Sequence, residues 1–505
     1  MQANISSIGQ IYKNTYAPDK TAIIFGEERV SYTQLDDRVR AFANFLKAKG
    51  VKRGDKVILD TGNSPEFIYV YLGAVRNAAI IVPVNPMLTA PELTYIAQDS
   101  EAGWLMIKEE VLQKHGYTEE MLAGELGVTV FVLNDALMAE IMASPRDDFD
   151  YVTDIHDIST FLYTSGTTGR PKAAMLSHSN LISNAWQTMI AFEVVHEDVF
   201  MCVLPMFHVL ACTICVLLPM FVGGTIVILE TFHPKTVVGS MLDNDVTLFT
   251  GVPAMYMVLI EAAKNDVTFP KLRLCASGGS SLPVDVLRKA IEAAHLPLVE
   301  GYGLTEASPA THFNPPSGVQ KPGSVGPAFP EVEFMIGGEN DEELPAGEVG
   351  ELLLRGPNIM QGYYKKPEET AETLRNGWLH TGDLAKADED GYVYIVDRKK
   401  DMIIVAGLNV YPREVEEALY EHPKVRDAAV VGEADALRGE SVVAYVVLKE
   451  GETIHRKELL RWLKERLATY KIPRRIEFIE ELPRNSSGKI LKRMLGKKPE
   501  TGDRE

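Results

Sequence analysis

Tyr163-Thr-Ser-Gly-Thr-Thr-Gly-Arg-Pro-Lys172 runs from the end of an apolar stretch into a loop of hydroxyls and glycines that closes on a lysine. Glycine lets backbone N–H groups turn toward an anion, hydroxyls add donors, and lysine brings positive charge, so the loop suits phosphate. It is not the G-x-x-x-x-G-K-[ST] phosphate loop. Arg170 and Pro171 separate Gly169 from Lys172, and no Ser or Thr follows to hold a metal ion. Read alone, the same residues also make an ordinary Gly/Thr/Ser turn.

Around the loop, helical and strand-like runs alternate. Residues 33–49 read as a helix capped by Thr33, with Leu35, Val39, Phe42 and Leu46 on one face and Gly50 at its end. Further helical stretches at 67–77 and 91–98 are interleaved with strand-like runs at Val57–Asp60, Ala79–Val84, Val128–Leu133 and Ser159–Tyr163. This is the pattern of an α/β body with largely parallel sheets. Late in the chain the charge changes sign. Residues 398–505 carry 23 Lys/Arg and 19 Asp/Glu, a net +4, against −23 for residues 1–397. A strand at Val393–Val396, a solvated polar turn at Asp397–Asp401 and a strand at Met402–Val405 place a hinge at this boundary. Beyond it, a helix (Pro412–Glu421), strands (Ala428–Gly432, Val442–Leu448), a helix (Arg456–Ala468) and a strand (Arg475–Phe478) read as a compact α+β unit.

At 505 residues, 46% hydrophobic and 24% charged, the chain has the proportions of a soluble multidomain protein. A net charge of −19 disfavours nucleic acid and anionic membrane as partners and turns attention to small molecules. Cys202, Cys212, Cys215 and Cys275 are too few for a disulfide framework, and the C-x-x-C at 212–215 lies in wholly apolar sequence, so buried thiols in a reducing, cytoplasmic compartment are expected. No basic start and apolar core of a signal peptide is present at the N-terminus. Val199 to Leu229 lacks any charged residue and is long enough to span a bilayer. Pro205, His208, Pro219 and Gly223-Gly224 divide it, which favours a buried helix near 209–218 and a strand near 225–229 over a transmembrane span.

A second cluster, Gly301-Tyr-Gly-Leu-Thr-Glu306, follows the expected strand Leu298–Glu300. Without a third glycine or a following helix it is not a dinucleotide loop. Its tyrosine, hydroxyl and carboxylate could instead stack a base, bind phosphate and hold Mg²⁺, or simply form a tight βα turn.

Together these blocks resemble the adenylate-forming superfamily of acyl-CoA synthetases, luciferases and peptide-synthetase adenylation domains. In matching order come the 163–172 loop, Leu204-Pro-Met-Phe-His208, Gly301–Glu306, Gly362-Tyr-Tyr-Lys365, Trp378-Leu-His-Thr-Gly-Asp383, Asp397–Asp401 and Asn485-Ser-Ser-Gly-Lys489. The resemblance covers essentially the whole chain. Ala173 is one departure, standing where the family usually has glycine after the loop lysine.

The resemblance implies an α/β fold with a large N-terminal domain (1–397) of α/β subdomains. These would hold mixed and parallel sheets and a small β-barrel-like part, followed by a small mobile α+β C-terminal domain (398–505) hinged near Lys400. It implies ATP-dependent conversion of a carboxylic acid to acyl-AMP and pyrophosphate, then transfer to CoA with release of AMP. Carried over by motif, Thr164, Ser165, Gly166, Thr167, Thr168, Gly169 and Lys172 would cradle the β- and γ-phosphates. Thr305 would meet the α-phosphate and Glu306 would hold Mg²⁺. Tyr302 would stack adenine beside Gly303 and Gly278. Asp383, assisted by Arg398, would bind the ribose hydroxyls. Lys489 would bridge carboxylate and α-phosphate. Catalysis would rest on Lys489, Lys172, Thr164 and Glu306. The acyl pocket would use His208, Val209, Ser277, Gly278, Gly279, Gly301 and Leu304, and Gly407 and Leu408 would face CoA. Any one of these charged residues, taken singly, is also an ordinary solvated loop residue.

The blocks at 299–309 and 397–405 look most like medium- to long-chain fatty acid–CoA ligases. Expected partners are ATP, a carboxylic acid and CoA, with no nucleic acid and no transmembrane span. Peripheral membrane contact and a monomer or homodimer stay open. Rival readings are an aryl-acid or other acid–CoA ligase, a stand-alone enzyme loading a carrier protein, and a catalytically silent acyl-nucleotide-binding protein.

Overall fold

Ser31, not Thr33, starts the first long helix, Tyr32–Lys49. The Ser31 and Gln34 side chains exchange hydrogen bonds with each other's backbone, while the Thr33 hydroxyl turns back to the Pro18 carbonyl at 3.0 Å. A serine two positions earlier can satisfy the helix's orphan N–H groups, so the helix begins there. Gly50 ends it in the left-handed region at φ 98°. Leu35, Val39, Phe42 and Leu46 are fully buried against helix Pro65–Arg76. Contact is close because Gly73 has no side chain: a Cβ there would stand 2.9 Å from Phe42 Cβ. The computed structural model describes residues 5–14, 17–165, 170–435, 437–485 and 488–495.

The four strands expected in this region join two that were not, Trp104–Lys108 and Pro171–Ser177, in a six-stranded sheet ordered Thr129–Leu133, Trp104–Lys108, Lys56–Asp60, Ile80–Pro83, Ile158–Ser165, Pro171–Ser177. It is parallel except for its last pair. There residues 163–165 pair antiparallel with 171–173, Thr164 opposite Lys172 and Ser165 opposite Pro171. The loop therefore joins two antiparallel strands, whereas a nucleotide-hydrolase phosphate loop leads from strand to helix.

An eight-stranded sheet lies beside it, ordered Ala310–Phe313, Leu298–Gly303, Leu274–Ser277, Leu248–Gly251, Val199–Cys202, Thr225–Ile228, Thr21–Phe25, Glu28–Ser31. Gly301–Gly303 is part of a strand here, not a βα turn, and pairs antiparallel with residues 310–313. Its glycines permit that approach: a Cβ on Gly303 would fall 2.2 Å from the Pro309 carbonyl oxygen.

The stretch 199–229 folds as strand Val199–Cys202, a wide-turn helix Ala211–Leu217 running into Leu218–Val222, and strand Thr225–Ile228. The expected helix near 209–218 is thus mostly a π-helix. Pro219 offers no N–H to the Cys215 carbonyl, and widening the ladder accommodates that gap. Among the described residues no helix is long and apolar enough to cross a membrane. All four cysteines are buried, and burial pushes the Cys212 thiol up to about 12, so it stays protonated and inert at neutral pH.

The expected barrel-like part takes the form of a four-stranded antiparallel sheet, Glu333–Gly337, Gly350–Arg355, Leu379–Ala387, Val393–Arg398. Asp397 is no solvated turn residue. It lies on the last of these strands, 8% exposed, and accepts the Arg398 and Arg413 N–H groups at 2.7 and 2.8 Å. Only Lys399–Asp401 forms a turn, after which Ile403–Val405 enters a separate sheet with Leu408–Val410, Gly439–Leu448, Val425–Asp435 and Arg475–Phe478. That sheet and helices Pro412–Tyr420 and Arg456–Lys464 enclose their own hydrophobic core.

Candidate active site

Asp383 and Arg398 face each other across adjacent antiparallel strands, with Arg398 Nε 3.6 Å from Asp383 Oδ1. Tyr302 donates its hydroxyl to Asp383 Oδ2 at 2.5 Å. Gly382, at φ 71°, turns the backbone so that its N–H reaches Glu351 Oε1 at 3.0 Å, and Asp383 N–H reaches Thr381 Oγ1 at 3.1 Å. Burial raises the Asp383 carboxyl, while Arg398, the Tyr302 hydroxyl and Lys489 pull it back toward the ionised form. The arrangement presents a fixed carboxylate able to accept two neighbouring hydroxyls.

Lys489 closes a turn in which Asn485 Oδ1 accepts its N–H at 2.9 Å and Asn485 N–H donates to its carbonyl at 2.9 Å. Gly488 stands at φ 82° against Val252, where an added Cβ would lie 3.2 Å from Val252 Cγ2. The small domain thereby delivers Lys489 to the large one, within electrostatic reach of Arg398, Asp383 and His208. Burial, with Arg398 adding to it, lowers the Lys489 ammonium to about 8. His208 is lowered to about 4 by burial and by Lys489, so it is neutral at physiological pH. Its Nδ1 accepts the Leu210 N–H at 3.3 Å, which leaves the proton on Nε2. At neutral pH its Nε2–H is therefore a hydrogen-bond donor.

A third group joins Lys172 to Glu306 through Tyr363. Lys172 Nζ lies 4.2 Å from the Tyr363 ring centroid and 3.3 Å from Glu369 Oε2, and the Tyr363 hydroxyl donates to Glu306 Oε1 at 2.8 Å. Partly exposed ion pairs and cation–π contacts are worth only ~0 to 2 kcal/mol, so the Lys172 ammonium is held loosely enough for an anion to compete for it. Segment 361–364 lies along strand Pro171–Ser177, with Tyr364 N–H on the Ala173 carbonyl at 2.9 Å and Met175 N–H on Gly362 at 2.9 Å. The Ala173 methyl is fully buried in the core on that side of the sheet, so it fits without displacing the loop strands.

Gly278 and Gly279 face Leu210, whose methyls would lie 3.8 and 3.6 Å from a Cβ at each position. Leu204, Ala211 and Val252 are buried together there, with Leu210 and Met255 against them. Asn63 pins the preceding loop by donating to the Leu204 and Leu229 carbonyls at 3.0 and 3.1 Å and accepting Met206 N–H at 2.8 Å.

Tyr302, Asp383, Arg398 and Lys489 therefore converge, as do Lys172 and Glu306. Thr164 lies opposite Lys172, and Thr305 adjoins Glu306 in a 3₁₀ turn. Gly166, Thr167, Thr168 and Gly169 fall outside the described residues, as does the Ser165 side chain. Val209 packs into the large core, and Gly301 packs against Phe313, which a Cβ would approach to 2.6 Å. Ser277 is buried with its hydroxyl unpartnered among the described residues, and Leu304 packs on the large core. Gly407 sits on the exposed Ala406-Gly407 turn, and Leu408, half exposed, opens the strand that follows it. Sequence reading passed over Tyr363, Glu351 and Leu210. The Gly362–Lys365 block held the signal for the first; the other two have none.

Two family descriptions match this chain in tandem: AMP-binding enzyme over residues 13–364 and AMP-binding enzyme C-terminal domain over 414–489. The chain belongs to the AMP-binding enzyme family. A long-chain-fatty-acid–CoA ligase of Bacillus subtilis (strain 168) is 36% identical to this synthetase, covering 95% of it and 91% of the relative. A feruloyl-CoA synthase of Amycolatopsis sp is 37% identical over 94% and 95% of the two chains. ATP-bound MatB from Rhodopseudomonas palustris superposes with a TM-score of 0.91 at 33% identity, covering 98% of each chain. The protein is an AMP-forming acyl-CoA synthetase of the adenylate-forming superfamily, working through an acyl-adenylate.

Proposed function

We propose that this synthetase activates a medium- to long-chain fatty acid and passes it to CoA, and one observation carries the choice of acid. The lysine loop abuts Val252, and Val252 belongs to the apolar cluster of Leu204, Leu210, Ala211 and Met255 beside Gly278-Gly279. A carboxylate drawn to Lys489 thus has an uncharged, hydrocarbon surface beside it for its tail, and burying each methylene is worth about 0.8 kcal/mol.

In the reading we favour, Lys489 draws the carboxylate and the α-phosphate together and screens the repulsion between two anions. A carboxylate oxygen attacks α-phosphorus, and pyrophosphate leaves while held by Lys172 and the 164–169 loop. Asp383 accepts the ribose hydroxyls, Tyr302 lies along adenine, and Thr305 donates to the α-phosphate. The CoA thiol, losing its proton, then attacks the acyl carbonyl and expels AMP. Glu306, a carboxylate oriented by the Tyr363 hydroxyl and 134 positions along the chain from the lysine that shares that tyrosine, offers the hard oxygen ligand that Mg²⁺ prefers. Mg²⁺ bound there would neutralise phosphate charge.

Acids from octanoate to palmitate, with ATP, Mg²⁺ and CoA, are expected to yield AMP and the acyl thioester. ADP as product would overturn the reaction, and preference for cinnamates or benzoates would move the substrate to the aryl reading that the 37% identical feruloyl-CoA synthase supports. Transfer only to a carrier-bound thiol would favour the carrier-loading reading. Glu306→Gln removes the charge and keeps the shape, so adenylation should fall roughly 10²-fold with the melting temperature little changed. An unaltered rate at saturating Mg²⁺ would take Glu306 out of the site.

A further inference from the structure

Two carboxylates of the large domain are buried where the small domain meets it. Glu300, 3% exposed, accepts Leu282 N–H on Oε1 at 3.1 Å, while its Oε2 is buried without a hydrogen bond among the described residues. The cation facing it comes from the other domain: Arg413 Nη2 lies 3.7 Å from Glu300 Oε1. Arg413 stands in the first turn of helix Pro412–Tyr420, donates through Nη1 to the Ile395 carbonyl at 2.8 Å, and lies 3.8 Å from Glu417. Glu417 in turn accepts Val284 N–H at 3.5 Å, a second tie between the domains. Glu351, 8% exposed, accepts Gly382 N–H beside Asp383 and receives Lys399 Nζ at 3.0 Å. Lys399 is the first residue of the 399–401 turn and immediately precedes Lys400.

We propose that Glu300–Arg413 and Glu351–Lys399 form a two-point ionic latch that holds the small domain where Lys489 meets the large one. The inference rests on the functional reading above and on the hinge near Lys400 that the family resemblance implies, about which the small domain would swing between the two half-reactions. Rotation about residues 399–401 would carry Arg413 away from Glu300 and leave a buried carboxylate without its counter-ion, the costly half of breaking a buried pair. Lys399 is 59% exposed along its side chain, so its pair contributes less and chiefly aligns the turn with the Asp383 loop. The latch sets how long the adenylate-forming orientation persists.

Arg413→Gln uncovers the Glu300 charge in this orientation, so single-turnover adenylate formation should fall about ten-fold, while conversion of supplied acyl-adenylate and CoA to thioester is unchanged or faster. Glu300→Gln with Arg413→Gln leaves no buried charge and should recover most of that loss. Lys399→Gln, at an exposed position that is safe for folding, should shift the same balance about two-fold. Spin labels on Glu125→Cys and Lys457→Cys, both exposed where the native cysteines are buried, report the domain separation without any substrate. A second separation should grow in Arg413→Gln and recede in the double variant. Equal losses in both half-reactions, no recovery in the double variant, or one unchanged distance distribution would overturn the latch. Absence of adenylation by wild-type protein with every acid would instead overturn the functional reading, and the distances would still judge the latch.

Discussion

Lys489→Ala is expected to slow acyl-adenylate formation roughly 10²- to 10³-fold while leaving the conversion of supplied acyl-adenylate and CoA to thioester close to wild type. Lys489 reaches the site as part of a small-domain turn, and it faces Asp383, Arg398 and His208 in a setting dry enough to bring its ammonium down to about 8. A charge so poorly solvated gains strongly when two anions are brought beside it. In the thioester step the nucleophile is a thiol and the leaving group AMP, so the charge is no longer needed at that point. The pH profile carries the same signature. Lysine is charged below its pKa, so kcat/KM for adenylation should decline as pH rises through about 8, and Lys489→Ala should lose that limb. Bound phosphate and carboxylate favour the ammonium, moving the limb upward in kcat. Rapid-quench measurement of each half-reaction decides: equal losses in both would argue for one fixed site, once circular dichroism has excluded misfolding.

Lys400→Pro is expected to do the reverse, lowering the thioester half-reaction about ten-fold or more and sparing adenylation. The chain passes from the four-stranded sheet to the small-domain sheet over residues 399–402, so a few backbone angles there must absorb any swing. Proline fixes φ near −65° and is tolerated in the first turn of a helix, which is where residue 400 sits here. The exposed Ala406-Gly407 turn, with φ of 51° and 83°, and Leu408 beside it would then stay away from the large domain. Lys400→Ala serves as the control, since it deletes the charge and keeps the backbone free. Loss of adenylation in the proline variant, or parity with alanine, would remove the hinge from residue 400.

Where an element was read from sequence, short-range patterns placed it to within a few residues at its ends. Strand Arg475–Phe478 falls where it was expected, and helix Tyr32–Lys49 differs only at its cap. Buried parallel strands announce themselves as apolar runs between turn residues, and a helix as a repeating face. The errors lie where a neighbour overrides local preference. Gly301–Gly303, for which a tight βα turn was one of two readings, lies in a strand, because residues 310–313 return alongside it and only glycine tolerates their closeness. Asp397 read as solvent-facing and is buried, since the Arg398 and Arg413 N–H groups take up its oxygens.

By itself, then, the sequence determined which residues carry charge, hydroxyls and permissive backbone, and in what order. Lys172 and Glu306 drew attention through the chemistry of their loops, whereas Asp383 and Lys489 were named because their blocks resemble those of the adenylate-forming superfamily. Only the tertiary structure decided which of them meet. Tyr363 joins Lys172 to Glu306, Glu351 braces the Asp383 loop, and Arg413 answers Glu300 over a separation of 113 residues. Such pairings depend on how sheets and domains pack, and the cost of burying an unpaired charge falls on partners that no local window contains.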